Sequence, residues 1–351
     1  MLHATLSRIP VPDLAAGKRV ERYLDTLTKP PGSLGRLEAL AVQLATLTGA
    51  DFPRVSPPGV LVFAADHGVA EEGVSAFPQE VTAQMVANFV AGGAAINVFA
   101  RQIDARLEVI DVGVAGELDG QGVVPAKVRA GTGNMTRVDA MSLDEATRAI
   151  EVGIQAADRA ITAGCRCLIV GEMGIANTTA SSALLAVLSG EPVSRVVGLG
   201  TGIDATRLVH KQRVIERAIA ARQADPSQPI EVLARLGGLE IAAMAGTYLG
   251  AASQRIPVLV DGFIATVAAL VACRLSPSAR GYMIFGHRSC EPGHDIALRS
   301  LDATPLLDLD LRLGEGSGAA LAFPLLDAAT RMLSEMATFS SAGVAGSDAR
   351  S

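Results

Sequence analysis

Tryptophan is absent from the 351-residue sequence, and aromatic residues make up only 3% of it. Because 49% of the residues are nevertheless hydrophobic, the core must be built largely from Ala, Val, Leu and Ile. This composition suits buried parallel strands that are covered by helices. The length allows a large core and two folded regions rather than one.

Cysteine and long apolar runs are scarce as well. The four cysteines are unevenly spaced, so reduced thiols in a cytoplasm fit better than a disulfide framework. The longest apolar stretch, 256–273, contains Asp261 and Gly262, which indicates a strand, a turn and a helix rather than a membrane span. No signal peptide precedes the polar segment 7–22, and we expect a cytoplasmic protein with no membrane partner.

Positive charge is not concentrated in any one segment. The sequence contains 30 Lys and Arg residues and 36 Asp and Glu residues, which gives a net charge of −6. Without a basic cluster, we expect no nucleic-acid partner. A small phosphorylated ligand stays compatible with this balance, because a single site can be locally positive.

Strand and helix patterns alternate along the chain. Short apolar runs that end in Gly, Asp, Glu or His predict six strands, at 60–66, 107–113, 168–172, 196–200, 257–262 and 282–287. Helical patterns separate them, at 78–101, 142–164, 177–188, 204–222, 230–252 and 263–274. This alternation predicts an α/β fold with a six-stranded parallel sheet and helices on both faces. Ligands of such sheets bind at the carboxyl ends of the strands, where Asp66, Glu172 and Asp261 lie.

The two ends of the chain predict helices instead. Residues 1–50 read as two helices around a turn, and residues 291–340 as a helix, an acidic loop at about 302–316 and a second helix. We expect these ends to form a small helical domain beside a large α/β domain at 51–290. The Ser-, Gly- and Ala-rich tail 341–351 is expected to be disordered.

Two Gly-rich segments follow predicted strands and open predicted helices. They are GEMGIANTT at 171–179 and VGLGTGID at 197–204. Turns of this kind let backbone N–H groups and a helix N-terminus bind an anion. Neither segment matches GxGxxG or the Walker A pattern, so ordinary strand–helix turns stay an alternative. The side chains of Asn177 and Thr178 favour phosphate binding at the first segment.

Single charged residues give weaker signals. Glycines flank Glu172 and Glu315 and leave each carboxylate accessible to a ligand, but solvated loop acids share this pattern. Lys211 lies one to two turns into the helix after Gly202, where the pattern alone indicates a solvated surface lysine.

A metal centre and a hydrolytic triad find little support. His287, Cys290 and His294 lie close in sequence, but their spacing matches no zinc pattern. The absence of a GxSxG elbow argues against a Ser–His–Asp hydrolase. We expect neither a metal nor another cofactor.

Nine segments, taken in order, carry a resemblance to one enzyme family. They are KPPGSLGRLE (29–38), ADHG (65–68), EGVS (72–75) with PQEVTAQMV (78–86), GTGN (131–134), GEMG (171–174) with NTT (177–179), GTG (200–202), VDG (260–262), GHRS (286–289) and GEGSG (314–318). Over roughly residues 20–335 the chain resembles the nicotinate-nucleotide–dimethylbenzimidazole phosphoribosyltransferases. These enzymes make α-ribazole phosphate for the lower ligand of cobalamin.

The resemblance implies a Rossmann-like large domain, a small helical domain from both chain ends and a homodimer. It places the catalytic glutamate on Glu315 and the supporting residues on Glu172 and Lys211. The benzimidazole pocket is expected to include Gln84 and neighbours of the segment 72–78. Residues that hold the mononucleotide are expected at Gly174, Gly202, Asp261, Ser289 and Arg312.

The implied reaction moves ribose phosphate from nicotinate mononucleotide to 5,6-dimethylbenzimidazole. The donor's pyridinium leaves as a neutral pyridine, while Glu172 would stabilise the oxocarbenium-like ribose. Glu315 would accept the proton that the benzimidazole loses as the new bond forms. No Mg²⁺ is required, because no pyrophosphate leaves.

Other functions stay open at this point. A dinucleotide-dependent oxidoreductase would need GxGxxG after the first strand, where Asp66-His67-Gly68 fits badly. The same fold could also bind a nucleotide without turnover, or transfer ribose phosphate to another base.

Overall fold

The computed structural model describes residues 1–118, 122–200 and 202–345. The strands are β1 (Pro58–Ala65), β2 (Arg106–Gly113), β3 (Val123–Pro125), β4 (Cys167–Met173), β5 (Val258–Val260), β6 (Met283–Phe285), β7 (His287–Ser289) and β8 (Leu307–Leu311). The helices are α1 (Leu2–Leu6), α2 (Leu14–Leu24), α3 (Arg36–Thr48), α4 (Val81–Ala91), α5 (Ala95–Gln102), α6 (Leu143–Thr162), α7 (Asn177–Ser189), α8 (Val193–Val196), α9 (Ala205–Arg222), α10 (Pro229–Leu236), α11 (Leu239–Ser253), α12 (Phe263–Leu275), α13 (Pro292–Ser300), α14 (Ser317–Glu335) and α15 (Phe339–Ala342). Two 3-10 helices span Gly68–Glu72 and Pro277–Tyr282.

Six parallel strands form the central sheet, in the order β3-β2-β1-β4-β5-β6. All eight residues of β1 are buried, as expected for a strand that is covered on both faces. Helices α6 and α11 pack on one face, and α4, α5 and α14 pack on the other. The predicted α/β fold, with helices on both faces of a six-stranded parallel sheet, is confirmed.

One of the six predicted strands is wrong. Val196 is the last residue of helix α8, and residues 197–200 form a loop. The glycines at 198 and 200 interrupt an extended conformation, and Gly200 has φ +54°. The sixth strand is β3, three partly exposed residues at the sheet edge that are too short to give a hydrophobic run.

Glycine pairs divide two of the predicted helices. The expected helix 78–101 is split into α4 and α5 at Gly92-Gly93, and 230–252 into α10 and α11 at Gly237-Gly238. Helix α6 begins as predicted, because Ser142 and Glu145 form a capping box.

One segment among the described residues, Val81–Gln102, has the length and hydropathy of a membrane span. The glycine pair between α4 and α5 interrupts it, and core helices of soluble proteins pass the same test. It therefore carries little weight as a membrane signal.

The chain ends lie against each other. Leu27 forms an antiparallel bridge with Thr338, and α3 packs on α14. The acidic loop expected between the C-terminal helices is corrected: its residues 307–311 form β8, which pairs with β7. Whether these ends behave as a separate small domain stays a prediction.

The C-terminal tail is ordered at its first residues. Residues 341 and 342 belong to α15, so the expected disorder does not begin at 341. Residues 346–351 lie outside the described residues.

Candidate active site

A cavity of about 320 Å³ lies at the carboxyl ends of β4 and β5. Segments from distant parts of the sequence meet there, because parallel strands bring their carboxyl ends to one edge of the sheet. Nine residues predicted for the site line it, namely Glu172, Gly174, Asn177, Thr178, Lys211, Asp261, Ser289, Arg312 and Glu315.

Two predicted binding residues do not line the cavity. Gln84 is exposed on α4, whereas Val81 and Met85 of the same helix line the cavity. Gly202 is exposed with φ +112°, and its neighbours Gly200 and Ile203 line the cavity instead. These two residues lie outside the cavity lining, and their contact with a ligand stays a prediction. Thr201, between them, lies outside the described residues.

Glu172 lies near the end of β4, opposite Phe63 of β1, and is buried. Its Oε2 accepts a hydrogen bond from the side-chain amide of Asn177. Burial raises the pKa of Glu172 to about 8, and the carboxylates of Glu240 and Asp261 act in the same direction. In the ligand-free protein this carboxyl group is therefore mostly protonated at neutral pH.

Glu315 lies in the loop before α14 and faces the same cavity. Its φ of +64° is in the left-handed region, between two glycines with φ +91° and +85°. This turn brings the Glu315 carbonyl oxygen against Gly171, where a Cβ would collide with it. Burial raises the pKa of the Glu315 carboxyl group, and its Oε2 has no hydrogen-bond partner among the described residues. Both features, a raised proton affinity and a free carboxylate oxygen, suit a general base.

Lys211 is buried and only 1% exposed, so the surface position indicated by the pattern is wrong. Its Nζ donates to Thr178 Oγ1 at 2.8 Å and to the carbonyl oxygen of Gly198 at 3.4 Å. Burial lowers the pKa of Lys211 to about 8, an effect that the carboxylate of Glu291 opposes. The lysine therefore supplies a titratable positive charge to the cavity wall.

The first Gly-rich turn brings backbone closely under the cavity. A Cβ at Gly174 would collide with the carbonyl oxygen of Ala65, so only glycine fits there. Ala176, with φ +74°, then caps α7, whose first residues are Asn177 and Thr178. The N-terminus of α7 consequently borders the cavity, and a helix N-terminus is an arrangement that binds anions.

Glu291 was missed by the sequence reasoning. It lines the cavity, is buried, and has an Oε2 without a hydrogen-bond partner among the described residues. Burial raises the pKa of Glu291, whereas the charges of Lys211 and Arg312 lower it. Its position two residues after Ser289, directly beyond the GHRS segment, was the available signal. Arg312 donates from Nη1 to the carbonyl oxygen of Gly200 at 3.2 Å.

Apolar side chains form the remaining wall. Val74, Phe77, Val81, Met85 and Leu313 line the cavity on this side. They present a surface suited to a flat aromatic ring, in the same cavity as the carboxylates and Lys211.

The histidines near the cavity are engaged by the protein. His294 accepts from the backbone N–H of Ser289 at Nδ1, so its proton lies on Nε2, which faces Thr266 Oγ1 at 3.0 Å. Burial lowers the pKa of His294 to about 3. Over residues 1–118, 122–200 and 202–345, no group of three or more His, Cys, Asp or Glu side chains could hold a metal ion.

The fold and the cavity define an α/β enzyme with four acids, a buried cation and an apolar wall at the carboxyl edge of its sheet. A family model described as phosphoribosyltransferase matches residues 9–344. The nicotinate-nucleotide–dimethylbenzimidazole phosphoribosyltransferase of Chloroflexus aggregans is 53% identical over 345 residues, which cover 98% of this chain and 98% of that protein. The protein of the same name from Azotobacter vinelandii is 52% identical, with 96% of each chain covered.

A solved structure agrees with these relatives. The crystal structure of nicotinate-nucleotide–dimethylbenzimidazole phosphoribosyltransferase from Thermus thermophilus has a TM-score of 0.90 and 48% sequence identity, and the match covers 95% of this chain and 99% of that one. The chain therefore belongs to the nicotinate-nucleotide–dimethylbenzimidazole phosphoribosyltransferase family.

Proposed function

We propose that the chain transfers the phosphoribosyl group of nicotinate mononucleotide to 5,6-dimethylbenzimidazole, giving α-ribazole 5′-phosphate and nicotinate for the lower ligand of cobalamin. One observation carries the proposal: the same cavity is lined by Glu172 and Glu315, by the cationic side chain of Lys211 and by the apolar wall. The part of the cavity around Lys211 is called the cationic side. The cationic side suits the anionic donor, and the apolar wall suits the flat acceptor. The names of the relatives describe the same pair of substrates.

The reaction needs little acid assistance at the leaving group. The bond from the ribose anomeric carbon to the pyridinium nitrogen breaks, and its electron pair stays on nitrogen, so nicotinate departs with a neutral ring. The bare nitrogen of the benzimidazole forms the new bond from the opposite face. A β-linked nucleotide thereby becomes an α-linked one.

Glu315 accepts the proton that the other benzimidazole nitrogen loses. A positioned general base contributes about 10²–10⁴-fold to the rate. The cavity also holds donor and acceptor in line, which converts a bimolecular step into an intramolecular one.

Glu172 stabilises positive charge on the ribose. The free protein holds this group mostly protonated, since burial raises its pKa to about 8. The cationic pyridinium of the bound donor favours the ionised form, so donor binding releases the proton. The resulting carboxylate then faces the oxocarbenium-like carbon.

The donor's phosphate and carboxylate need local donors in an acidic protein. The α7 N-terminus after Gly174, Thr178, Ser289 and Arg312 supply hydrogen bonds, and Lys211 supplies charge. Gly202 and Gln84 do not line the cavity themselves, but neighbours of each do, so both keep their proposed binding roles. We further propose a homodimer in the cytoplasm, as the resemblance of the sequence implies.

Two alternatives have distinct outcomes. A protein that binds the nucleotide without turnover would hold the donor and release no nicotinate. A related transferase would release nicotinate only with a different base.

The test incubates the purified protein with nicotinate mononucleotide and dimethylbenzimidazole and follows both products by chromatography. Glu315→Gln is compared with the wild type and with Glu335→Gln, an exposed acid far along α14. Product from the wild type and from Glu335→Gln, with a loss of about 10²-fold or more in Glu315→Gln, supports reaction and base together. Equal product from all three proteins would remove Glu315 from its role, and no product from the wild type would contradict the acceptor or the turnover.

A further inference from the structure

Asp261 lies directly after β5 and bridges to the start of α14. Its Oδ1 accepts from the backbone N–H of Ala319 at 2.8 Å, and its Oδ2 accepts from the backbone N–H of Gly316 at 3.2 Å. The residue is 2% exposed. Both oxygens are therefore occupied by protein donors, although the residue borders the cavity.

Helix α14 depends on this outside contact. Its N-cap is Gly316, which has no side chain to bond the free N–H groups of the first turn. Asp261 replaces the missing capping side chain, and its negative charge faces the positive end of a 19-residue helix.

The capped turn is the one that holds Glu315. Three consecutive residues, Gly314, Glu315 and Gly316, have positive φ. Such a conformation is strained for a non-glycine residue and persists only where the surroundings fix it. The bond from Asp261 to Gly316 fixes the residue immediately after Glu315, and the bond to Ala319 fixes the first turn beyond it.

His287 supports Asp261 from the opposite side. Its Nε2 lies 3.3 Å from Asp261 Oδ1, a contact of ion-pair length without good hydrogen-bond alignment. Its Nδ1 faces the carbonyl oxygen of Arg288 at 3.1 Å, and its ring packs against Gly318, where a Cβ would collide with it. The imidazole thus packs between Asp261 and α14 and limits the space in which the Asp261 carboxylate can turn.

We propose that Asp261, supported by His287, is a positioning residue that holds Glu315 in its left-handed turn, rather than a residue that binds the donor. The inference rests on the proposed function, in which Glu315 is the base. Both oxygens of Asp261 already accept backbone N–H bonds, so they have less capacity left for the hydroxyl groups of a bound donor. The same carboxylate gains two N–H bonds and a helix dipole when it caps α14.

The decisive variant is Asp261→Asn, which removes the charge and replaces one acceptor oxygen with a donor. Misplacing a catalytic group by about 1 Å can cost 10²-fold, so we expect kcat to fall about 10- to 100-fold. Because Asp261 does not touch the donor in this assignment, the donor KM and the donor Kd measured by calorimetry should change by less than about threefold. Asp13→Asn is the matched control, since Asp13 caps α2 through the same acceptor chemistry and does not line the cavity. It should leave kcat and both KM values unchanged.

Three results would overturn the assignment. One is a rise in donor Kd of Asp261→Asn with kcat retained at saturation, which makes Asp261 a binding residue. Another is an unchanged kcat with unchanged Kd. The third applies if Asp261→Asn melts below the assay temperature, in which case His287→Gln is measured instead, because it leaves both N–H bonds to Asp261 in place. The positioning role predicts that His287→Gln lowers kcat and keeps the donor affinity. An unchanged kcat in His287→Gln would remove that role.

Calorimetry with the donor also separates this inference from the reaction. Weaker donor binding in Asp261→Asn would contradict the positioning role even if the wild type released no nicotinate. Lack of turnover in the wild type, with equal donor binding in both proteins, would count against the proposed function alone.

Discussion

Lys211 Nζ and Thr178 Oγ1 lie 2.8 Å apart and join α9 to the N-terminus of α7 across the cationic side of the cavity. The hydroxyl and a backbone carbonyl are the hydrogen-bond acceptors of the ammonium group. Neither carries a charge that would hold its proton. Burial therefore lowers the pKa of Lys211 to about 8.

The first prediction concerns the alkaline limb of the pH profile. With a pKa of about 8, Lys211 loses its charge as the pH rises through 8, so kcat/KM for the donor should fall about tenfold per unit beyond it. Lys211→Arg keeps the charge, because guanidinium stays protonated. In this variant kcat/KM for the donor should be lower in absolute value but should not fall until about pH 10. The measurement is kcat/KM for the donor from pH 6 to 10, with the exposed Lys18→Arg as control. An alkaline limb at the same pH in Lys211→Arg would assign that limb to another group.

The second prediction concerns stability and follows from Glu172. Its folded pKa of about 8 lies above its ordinary value of 4.5, so the folded state binds the proton more tightly than the unfolded chain. This contribution is fully present below about pH 4.5 and is lost as the pH rises through about 8. The slope for one proton is at most about 1.4 kcal/mol per pH unit.

Glu172→Gln removes this titration and keeps an oxygen that can accept from Asn177. The Tm of the wild type, measured relative to the Tm of the variant, should therefore fall as the pH rises from 5 to 8. Glu335→Gln, at an exposed position, should keep a constant difference from the wild type. A difference for Glu172→Gln that is also independent of pH would mean that Glu172 ionises normally in the folded protein.

The sequence indicated the site residues well where a charged side chain stands at the end of a predicted strand. Glu172 and Asp261 end apolar runs, and the parallel sheet alone brings them together. It failed where distant segments decide the environment. Lys211 looks exposed on its own helix, and only the loop around Gly198 and the start of α7 bury it.

Short or irregular elements were the other source of error. β3 has three residues and depends on pairing with β2 for its existence, so no local pattern marks it. The apolar run at 196–200 looks like a strand, but Gly198 lies against the Glu291 carboxylate and admits no Cβ. Position-specific contacts of this kind do not appear in hydrophobic periodicity.

The third prediction concerns the apolar wall, which Glu72 anchors. Its carboxylate accepts from Asn134 Nδ2 at 2.8 Å, from Thr136 Oγ1 at 3.0 Å and from the Arg217 guanidinium. Its carbonyl oxygen lies 2.6 Å from His210 Nε2, next to Lys211. These contacts tie the segment that carries Val74 and Phe77 to α9. Hydrogen bonds from Asn134 lower the pKa of Glu72, so it stays ionised.

Glu72→Ala should loosen the wall without touching either substrate. We expect the acceptor KM to rise about 10-fold, the loss expected when one or two charge-assisted hydrogen bonds no longer hold a binding surface, with a smaller change in donor KM. Glu71→Ala is the matched control, because the neighbouring acid is largely exposed and makes only long contacts, to Arg137 at 3.6 Å and to Asn134 at 3.5 Å. Initial rates with each substrate varied at saturating levels of the other provide both constants. An equal rise in donor and acceptor KM would show that Glu72 holds α9 and the cationic side as much as the wall, and the acceptor would then have to be placed elsewhere in the cavity.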